Sequence, residues 1–546
     1  MEKQNKKVIY VGIDALKECL EMLYDQGYQI LHICTAPDDD YDRTVEIQKF
    51  AADHRIPLSL ERVTPEQMRG WEAQDADMLI VAGYPWKIPV SEKIRQLNIH
   101  PAYLPIGRGS WPMPVAIQRG TDSGVTLHKL SEQFDAGDIL LQEKIKIEQE
   151  DHLVTLLEKI KKVSVKLLSE YLSSPDEIWD HARAQGEGEY WEEPGDLERT
   201  FSLEDTVEKI STTLRAFYGY GSLCNLQGLP VEIVRGSVVN DNRDVDGKLC
   251  IPVKGRYLIC EEWRIPFRKI ELRDKERMEA IRRKYQPMLS DYTFSLLYCW
   301  QEELKLSLYI EEEFFVIRGE DYYFFPIGEP NRVKEFIEGM LNVGIYPEFR
   351  FCDEKMITFL ASHFEGKYEY QKADADSDYV LLNQTICELQ GSRFAKRRNA
   401  IAHYRHLHPA PEVEMISKEN VEHLKRISEI FSGEDRIAER VAIEHFFELE
   451  LMGILVKRGE EYVGFSLCSK KDEDTMQGHF MKCIDGERGS RFYVMKSCID
   501  TIGARYRYTN MEDDMGEEGL REFKTSFEPE IISAYTVHFQ KKEEKE

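Results

Sequence analysis

Three features are scarce in or absent from this chain of 546 residues. Its eleven cysteines form no Cys-x-x-Cys pair and no cluster with histidine at the spacing of metal ligands. We therefore expect reduced cysteines, and neither a zinc site nor a disulfide framework. No window approaches about 18 uninterrupted apolar residues, so no membrane span is expected. The opening stretch MEKQNKK lacks the apolar segment of a signal peptide, and the sequence predicts a cytoplasmic protein.

Positive charge is also in deficit. Lys and Arg number 72 against 99 Asp and Glu, which gives a net charge of −27. Such a surface repels phosphate backbones at long range, and this disfavours nonspecific binding to nucleic acid. The proportions of hydrophobic residues, 42%, and charged residues, 31%, are typical of a globular protein. The length predicts about three or four domains, each with its own core.

What is present begins with an alternation of strands and helices over residues 8–150. Apolar strands at 8–12, 30–34 and 78–83 are separated by amphipathic helical spacing. This alternation predicts an α/β fold with a doubly wound, mostly parallel sheet. Ligands of such sheets bind at the carboxyl ends of the strands. Gly12 and Gly83 end two of these strands; a close backbone approach to a ligand and a tight turn both account for them.

The pattern changes after residue 150. The predicted elements are, in order, a helix over 151–172, a helix over 202–217, a small β module over 228–270 with turns at 241–242 and 246–247, a charged helical stretch over 268–284, and a mixed half from 285 onward that ends in a charged tail at 541–546. The second helix is predicted to open at a capping box, with Ser202 at the N-cap and Asp205 three residues later.

Three residues carry the clearest chemistry: Asn98, His100 and Asp135. Acyl transfer to an amine needs a donor for the oxyanion, a base for the proton and a group that orients the base. An amide, an imidazole and a carboxylate supply these roles, and Asn98 and His100 share one face of a strand. Taken singly, the histidine fits a hydrogen-bonded core residue, and the aspartate fits a turn.

The run NIHPAYLP (98–105), and the run from GVTLH (124–128) to FDAGDIL (134–140), resemble the active-site signature of the 10-formyltetrahydrofolate-dependent formyltransferases. That family includes enzymes acting on methionyl-tRNA, glycinamide ribonucleotide and nucleotide-linked amino sugars. The resemblance implies the formyltransferase fold, 10-formyltetrahydrofolate as cofactor, and Asn98, His100 and Asp135 as catalytic residues.

The same resemblance implies the binding residues. Folate is expected along two segments, at Val81, Gly83, Tyr84, Pro89, Leu130 and Phe134. The acceptor is expected near Gly12, Arg108 and Gly109. The family's Thr-Pro-type loop, which contacts the acceptor, is absent after Gly12, so the resemblance leaves the acceptor open. The stretches YWEE (190–193) and TLRAF (213–217) resemble the region that follows the catalytic domain in transfer-RNA and sugar formyltransferases.

A second resemblance covers residues 285–540. The runs LQGSRFAKRRN (389–399) and YTNMEDDMG (508–516), with DYTF (291–294), are similar to the C-terminal domain of phosphatidylglycerol lysyltransferases, which is built from two acetyltransferase-like (GNAT) folds in tandem. It implies acyl or aminoacyl transfer from a carrier, an acyl-CoA or an aminoacyl-tRNA, or else a module that only binds the acceptor. The candidate residues are Arg398, Asn510, Glu512, Asp513, Arg521 and Lys524.

Two short segments of this half have competing interpretations. The glycines of 485–490 lack the spacing of a coenzyme A loop, and a hairpin turn is the better interpretation. The basic run 396–398 fits either a phosphate contact or a solvated helix face, and the net charge favours the solvated face.

The sequence therefore predicts an α/β protein with five parts. These are a formyltransferase catalytic domain (1–185), a helix with a small β module (186–270), a charged connector (271–284) and two GNAT-like subdomains (285–410 and 411–540). The preferred function is formyl transfer to a primary amine of a small molecule, such as a nucleotide-linked amino sugar, together with acyl or aminoacyl transfer by the second half.

Three alternatives stay open at this stage. The first half fits a methionyl-tRNA formyltransferase, although the acidic balance speaks against it. It also fits a formyltransferase-fold binding module attached to a working acyl or aminoacyl transferase, or a hydrolase of the formyl-folate. Nucleic acid is otherwise expected only as a tRNA donor, and the oligomeric state is not predicted.

Overall fold

The computed structural model describes residues 6–38, 43–240, 248–408, 411–431, 435–484 and 487–541. The turns predicted at 241–242 and 246–247 lie outside the described residues, as do 485–486 of the predicted hairpin, the first five residues and the charged tail from 542. The chain divides into two compact units, Met1–Leu226 with Pro230–Arg264 and Gln227–Leu229 with Ile265–Glu546.

Unit 1 is built around a seven-stranded sheet in the order β3-β2-β1-β4-β5-β7-β8. The strands up to its small module are β1 (Lys7–Gly12), β2 (Gln29–Cys34), β3 (Leu58–Ser59), β4 (Met78–Ala82), β5 (Arg95–His100), β6 (Ile106–Arg108), β7 (Ser123–Lys129), β8 (Ile139–Ile145) and β9 (Glu189–Tyr190). The strands from β3 to β5 are parallel, and β7 and β8 add to β5 in antiparallel fashion. The predicted doubly wound, mostly parallel sheet is confirmed.

Burial on both faces of the sheet explains the continuous apolar strands. Val8 and Tyr10 of β1 belong to one core cluster, whereas Ile9 and Val11 belong to the cluster on the opposite face. All four side chains are fully buried. A parallel strand covered on both faces presents only its ends to ligands. The polar residues that end β5 therefore lie where such a fold places its sites.

Seven helices accompany these strands in the described part of unit 1. They are α1 (Lys17–Asp25), α2 (Val45–Asp53), α3 (Pro65–Ala73), α4 (Pro112–Arg119), α5 (Leu153–Ser173), α6 (Pro175–Asp180) and α7 (Val207–Ala216). The helix predicted from Ser202 begins later, so the predicted capping box is wrong as a helix start. Thr206 is the N-cap, and its side chain accepts the Lys209 N–H at 3.2 Å. The Ser202 N–H donates to Asp205 at 2.9 Å in the turn before it.

The small β module of unit 1 is a four-stranded sheet in the order β10-β11-β13-β12. Its strands are β10 (Ser222–Leu226), β11 (Leu229–Val239), β12 (Leu249–Val253) and β13 (Arg256–Arg264). The buried Glu232 carboxylate forms ion pairs with Arg199 and Arg264, each at 2.6 Å. A buried charge held from two sides in this way avoids the cost of an unpaired one.

Unit 2 contains a twelve-stranded mixed sheet in the order β14-β15-β16-β18-β25-β19-β24-β23-β22-β21-β20, with β17 paired to β15. The strands are β14 (Ser307–Glu311), β15 (Phe314–Arg318), β16 (Tyr323–Phe324), β17 (Ile327–Gly328), β18 (Glu348–Cys352), β19 (Tyr368–Leu382), β20 (Glu412–Met415), β21 (Met452–Arg458), β22 (Glu461–Lys470), β23 (Thr475–Cys483), β24 (Tyr508–Asn510) and β25 (Glu530–Phe539). The predicted division near residue 410 stays a prediction.

The helices of unit 2 flank this sheet. They are α8 (Lys275–Tyr285), α9 (Phe294–Trp300), α10 (Pro330–Asn342), α11 (Glu354–His363), α12 (Asn383–Glu388), α13 (Ala395–Leu407), α14 (Glu422–Ser428), α15 (Arg436–Glu444), α16 (Ser490–Thr501) and α17 (Glu518–Thr525). Among the described residues of either unit, no helix combines the length and the apolar character needed to cross a bilayer.

We expect opposite effects from two glycine substitutions in unit 1. A Cβ at Gly137 would lie 1.9 Å from the Lys129 carbonyl oxygen, whereas a Cβ at Gly70, inside α3, would meet nothing within 4 Å. Gly137→Ala should therefore lower the free energy of unfolding by about 1–3 kcal/mol, and Gly70→Ala should raise it by about 0.5–1 kcal/mol. Urea denaturation measures both, and equal effects would contradict the packing of the Gly137 turn.

Candidate active site

The site begins at the carboxyl end of β5. The antiparallel pairing of β5 with β7 places Asn98 opposite His128 and His100 opposite Thr126. Residues two apart on a strand face the same side, so all these side chains lie on one face of the pair. The Thr126 hydroxyl donates to the Ala102 carbonyl at 2.7 Å and accepts the Leu104 N–H at 3.1 Å, which holds the loop after β5 against β7.

The Asp135 carboxylate occupies the centre of the site. Its Oδ1 accepts the Asn98 amide N–H at 3.1 Å and lies 3.5 Å from both His100 Nδ1 and His128 Nε2. Its Oδ2 accepts the Gly109 N–H at 3.0 Å. Only 9% of the side chain is exposed. The three predicted catalytic residues are thus brought together: Asn98 and His100 lie against the carboxyl group of Asp135, and the imidazole of His128 lies beside them.

Two backbone carbonyls assign the protons of the imidazoles. His100 Nε2 lies 2.7 Å from the Gly107 carbonyl oxygen, which can only accept, so Nε2 carries the proton and Nδ1 faces Asp135. His128 Nδ1 donates to the Lys129 carbonyl at 2.8 Å, which leaves Nε2 to accept from Asn98 at 3.2 Å. Both amide hydrogens of Asn98 are therefore directed, one at His128 and one at Asp135.

The electrostatics favour a neutral imidazole beside an ionised carboxylate. Burial lowers the pKa of His100, and the neighbouring Asp135 and the Gly107 carbonyl only partly oppose this. Burial alone would raise the pKa of Asp135, but His100, His128 and the Gly109 N–H outweigh it, so that the pKa lies below its ordinary value. At neutral pH the site thus offers an unprotonated Nδ1 next to a negative charge.

Two residues that the sequence reasoning did not assign, Gln185 and His128, support the site. The Gln185 amide donates to the carbonyls of Asp135 and Gly137, at 2.8 and 2.6 Å. Arg108 in turn donates to Gln185 Oε1 at 3.2 and 3.0 Å. His128 ends the GVTLH run and pairs across from Asn98, so its position in the strand was a usable signal. Gln185 lies fifty residues beyond Asp135 in the sequence, and no local pattern indicates it.

The predicted folate residues fall into two segments joined by Gln96. The side-chain amide of Gln96 donates to the Pro89 carbonyl at 2.8 Å, and the backbone carbonyl of Gln96 accepts the Leu130 N–H at 2.9 Å. The Phe134 ring is 54% exposed, and Tyr84 contacts Trp86 edge to face at 5.4 Å. Aromatic surface of this kind would suit a planar pteridine, and the assignment of these residues to folate stays a prediction.

The remaining predicted positions of unit 1 lie in the sheet or hydrogen-bond to groups of the site. Val81 is buried in the sheet, and Gly83 follows β4 with φ of +69°. A Cβ on Gly12 would lie 2.5 Å from the Ala82 carbonyl oxygen, so the approach of β4 accounts for this glycine. Gly109 contributes its N–H to Asp135, and Arg108 braces Gln185.

The candidates of unit 2 gather at the end of β24, with two exceptions. The Asn510 amide donates to Asp378 at 2.6 Å, and its oxygen accepts the Glu512 N–H at 2.7 Å. The Lys524 ammonium donates to the carbonyls of Met511 and Asp513. The exceptions are Arg521, which forms a two-pronged ion pair with Asp514, and Arg398 on α13, which donates to the Leu389 and Gly391 carbonyls.

Two family models match the chain, one in each of its two compact units. Residues 17–172 match the family model described as formyl transferase, and residues 282–538 match the one described as phosphatidylglycerol lysyltransferase, C-terminal. These matches confirm the predicted fusion of a formyltransferase segment with a segment like the C-terminal domain of the lysyltransferases. The chain thus combines a segment similar to the formyl transferases with a segment similar to the C-terminal domain of the phosphatidylglycerol lysyltransferases.

Among curated proteins, the methionyl-tRNA formyltransferase of Lactobacillus acidophilus is 28% identical over 282 residues, covering 46% of this chain and 85% of that protein. The corresponding protein of Geobacillus thermodenitrificans is 33% identical over 178 residues, covering 30% of this chain and 56% of that protein, little more than half its length. A solved structure of a conserved Bacteroides thetaiotaomicron protein of unknown function is 23% identical, with a TM-score of 0.45, covering 50% of this chain and 99% of that one.

The lowered pKa of His100 predicts a loss of stability in acid. Its folded pKa lies below that of the unfolded chain, about 6.5, so the unfolded state binds the proton first as the pH falls. The stabilising effect of the neutral histidine is complete above about pH 6.5 and is lost on acidification below it. His100→Gln keeps an N–H for the Gly107 carbonyl but does not titrate. Urea midpoints of both proteins should show the wild type losing stability relative to the variant from about pH 7 to 5; a constant difference would contradict the assignment.

Proposed function

We propose that unit 1 transfers a formyl group from 10-formyltetrahydrofolate to a primary amine of a small molecule, such as an amino sugar carried on a nucleotide. The observation that carries this proposal is that Asn98 and His100 converge on the buried carboxylate of Asp135. The match of residues 17–172 to the formyl transferase family supports the reaction class.

The chain's own residues have distinct tasks in this reaction. Bound 10-formyltetrahydrofolate supplies the formyl carbon as an activated amide. The Asn98 amide would stabilise the negative charge that develops on the formyl oxygen: one of its N–H groups stays on His128, and the other, which donates to Asp135 at 3.1 Å in the resting site, would turn to that oxygen. His100 is neutral at rest, so its Nδ1 can accept the proton of the amine. The ionised Asp135 then stabilises the imidazolium at 3.5 Å, and His100 would return the proton to the tetrahydrofolate nitrogen that leaves as its bond to the formyl carbon breaks.

We further propose that unit 2 transfers an acyl or aminoacyl group from a carrier, an acyl-CoA or an aminoacyl-tRNA. The match of residues 282–538 to the lysyltransferase C-terminal family supports this, as does the gathering of Asn510, Glu512 and Asp513 at one strand end. The eleven cysteines are all free thiols, which fits the reducing cytoplasm as the place of both reactions.

A second candidate for unit 1 is methionyl-tRNA formylation. The names of the curated relatives favour it, whereas the net charge of −27 weakens long-range attraction to tRNA. A small amine remains the preferred acceptor on this ground.

Removing either polar group of the β5 pair should abolish most of the formyl transfer. Asn98→Ala and His100→Ala should each lower kcat by about 10²–10³, because each removes a group that acts on the developing charge or on the proton. Tetrahydrofolate release in the presence of candidate amines measures the rate. His54→Ala is the matched control, since His54 is the exposed residue that directly follows α2. Near-wild-type turnover by His100→Ala would refute the mechanism and favour a binding module.

The dependence of the rate on salt separates the two acceptors. With a small amine, kcat/KM should change by less than about 10-fold between 50 and 200 mM salt, whereas a tRNA acceptor would lose about 10³ or more. Parallel assays with an amino-sugar nucleotide and with methionyl-tRNA decide the matter. Folate consumption without any amine would instead indicate hydrolysis.

A further inference from the structure

A chain of hydrogen bonds runs through unit 2 from a serine to a carboxylate. The Ser469 hydroxyl lies 2.8 Å from His479 Nε2, and His479 Nδ1 lies 2.7 Å from Glu512 Oε1. Ser469 is the last buried residue of β22, His479 lies in β23, and Glu512 follows β24. A hydroxyl, an imidazole and a carboxylate thus stand in the order that activates a serine for nucleophilic attack.

The carboxylate of Glu512 decides the tautomer of the imidazole. Its Oε1 accepts the side-chain N–H of Gln477 at 2.7 Å, and an ionised carboxylate acts only as an acceptor towards His479 as well. Nδ1 of His479 therefore carries the proton, and Nε2 keeps a lone pair for the Ser469 hydroxyl. A hydroxyl that donates to Nε2 at 2.8 Å is placed for the imidazole to withdraw its proton as the oxygen attacks.

A second hydroxyl, from α9, adjoins this pair. Ser295 Oγ lies 3.2 Å from Ser469 Oγ and 3.3 Å from His479 Nε2. Because the Ser469 hydrogen is directed at the imidazole, the Ser295 hydroxyl can donate to Ser469 Oγ. When Ser469 attacks a carbonyl group, the same hydroxyl is a donor beside the carbonyl oxygen on which negative charge develops.

The backbone is irregular at both the histidine and the glutamate. Gly478 and Phe480 pair with consecutive residues of β22, so His479 is the extra residue of a bulge. Bulges redirect side chains next to active sites. Glu512 adopts φ of +59°, in the left-handed region that residues other than glycine seldom occupy. The contact between the two side chains thus depends on backbone geometry that regular strands do not provide.

An opening between two strands leads towards the serine. The parallel strands β23 and β24 pair only as far as Gln477 and Asn510, where β24 ends while β23 continues. Gly478 is the first residue beyond that pairing, and a Cβ there would meet only the Asn510 carbonyl oxygen, at 3.8 Å. The space beside His479 is therefore open, whereas Ser469 itself is only 5% exposed. Such burial would limit the access of water to a serine ester.

We propose that Ser469 is the nucleophile of unit 2 and carries the acyl group as a serine ester. Oγ attacks the carbonyl carbon of an activated acyl ester or thioester, and His479 Nε2 takes the hydroxyl proton. His479 gives this proton to the carrier oxygen or sulfur as its bond to that carbon breaks. An amine then attacks the serine ester, and His479 takes a proton from the nitrogen and returns it to Oγ. Glu512 is a positioning residue that holds the imidazole.

Reaction of the full chain with diisopropyl fluorophosphate tests the serine. This small reagent modifies hydroxyls that an adjacent base activates, with loss of fluoride, and it needs no acyl carrier. We expect one adduct per chain, which mass spectrometry should locate at Ser469. Ser469→Ala should abolish this adduct, and His479→Gln should slow its formation by about 10²–10⁴, the usual contribution of a general base. Ser466→Ala, at a buried serine of the same strand, is the matched control and should react at the wild-type rate.

Three results would overturn the proposal: no adduct on the wild type, an adduct only at other residues, or an unchanged rate in His479→Gln. The first two need no variant, so the test holds even if a substitution prevents folding. The proposal rests on the acyl or aminoacyl transfer proposed for unit 2, and the two can fail separately. Labelling of Ser469 without transfer from any carrier would support the activated serine and refute that reaction. Transfer that survives in Ser469→Ala would refute the serine ester alone.

Discussion

The buried negative charge of Asp135 is the constraint on which the first site depends. A carboxylate withdrawn from water is tolerated only where donors and positive potential surround it. Here the Asn98 amide and the Gly109 N–H donate to it, and two imidazoles flank it. Gln185 holds the backbone of the Asp135 turn. The loops after β5 and β7 and the segment around Gln185 are thus arranged around one side chain.

The second unit uses aspartate in the opposite way. Asp135 has donors at both oxygens and a lowered pKa, whereas Asp291 has an orphan oxygen, acidic neighbours and a raised pKa. One residue type therefore serves two tasks, because its surroundings decide which protonation state is stable. A charge that stays fixed suits the stabilisation of an imidazolium.

The functions proposed for the two units both involve an attacking nitrogen. In unit 1 the neutral Nδ1 of His100 can take a proton from an attacking nitrogen. Formyl and acyl transfer share one requirement, a nitrogen that loses a proton as it attacks a carbonyl carbon.

The sequence by itself determined the doubly wound sheet, the signature around Asn98, His100 and Asp135, and the two family segments, because apolar periodicity and short motifs are local properties. It misplaced the start of α7, since Thr206 competes with Ser202 as a cap and only the packed chain selects between them. Tertiary structure alone decided the tautomers of the two imidazoles, the bracing by Gln185 and the orphan oxygen of Asp291. Each of these depends on contacts between residues far apart in the chain, whose partners no local pattern names.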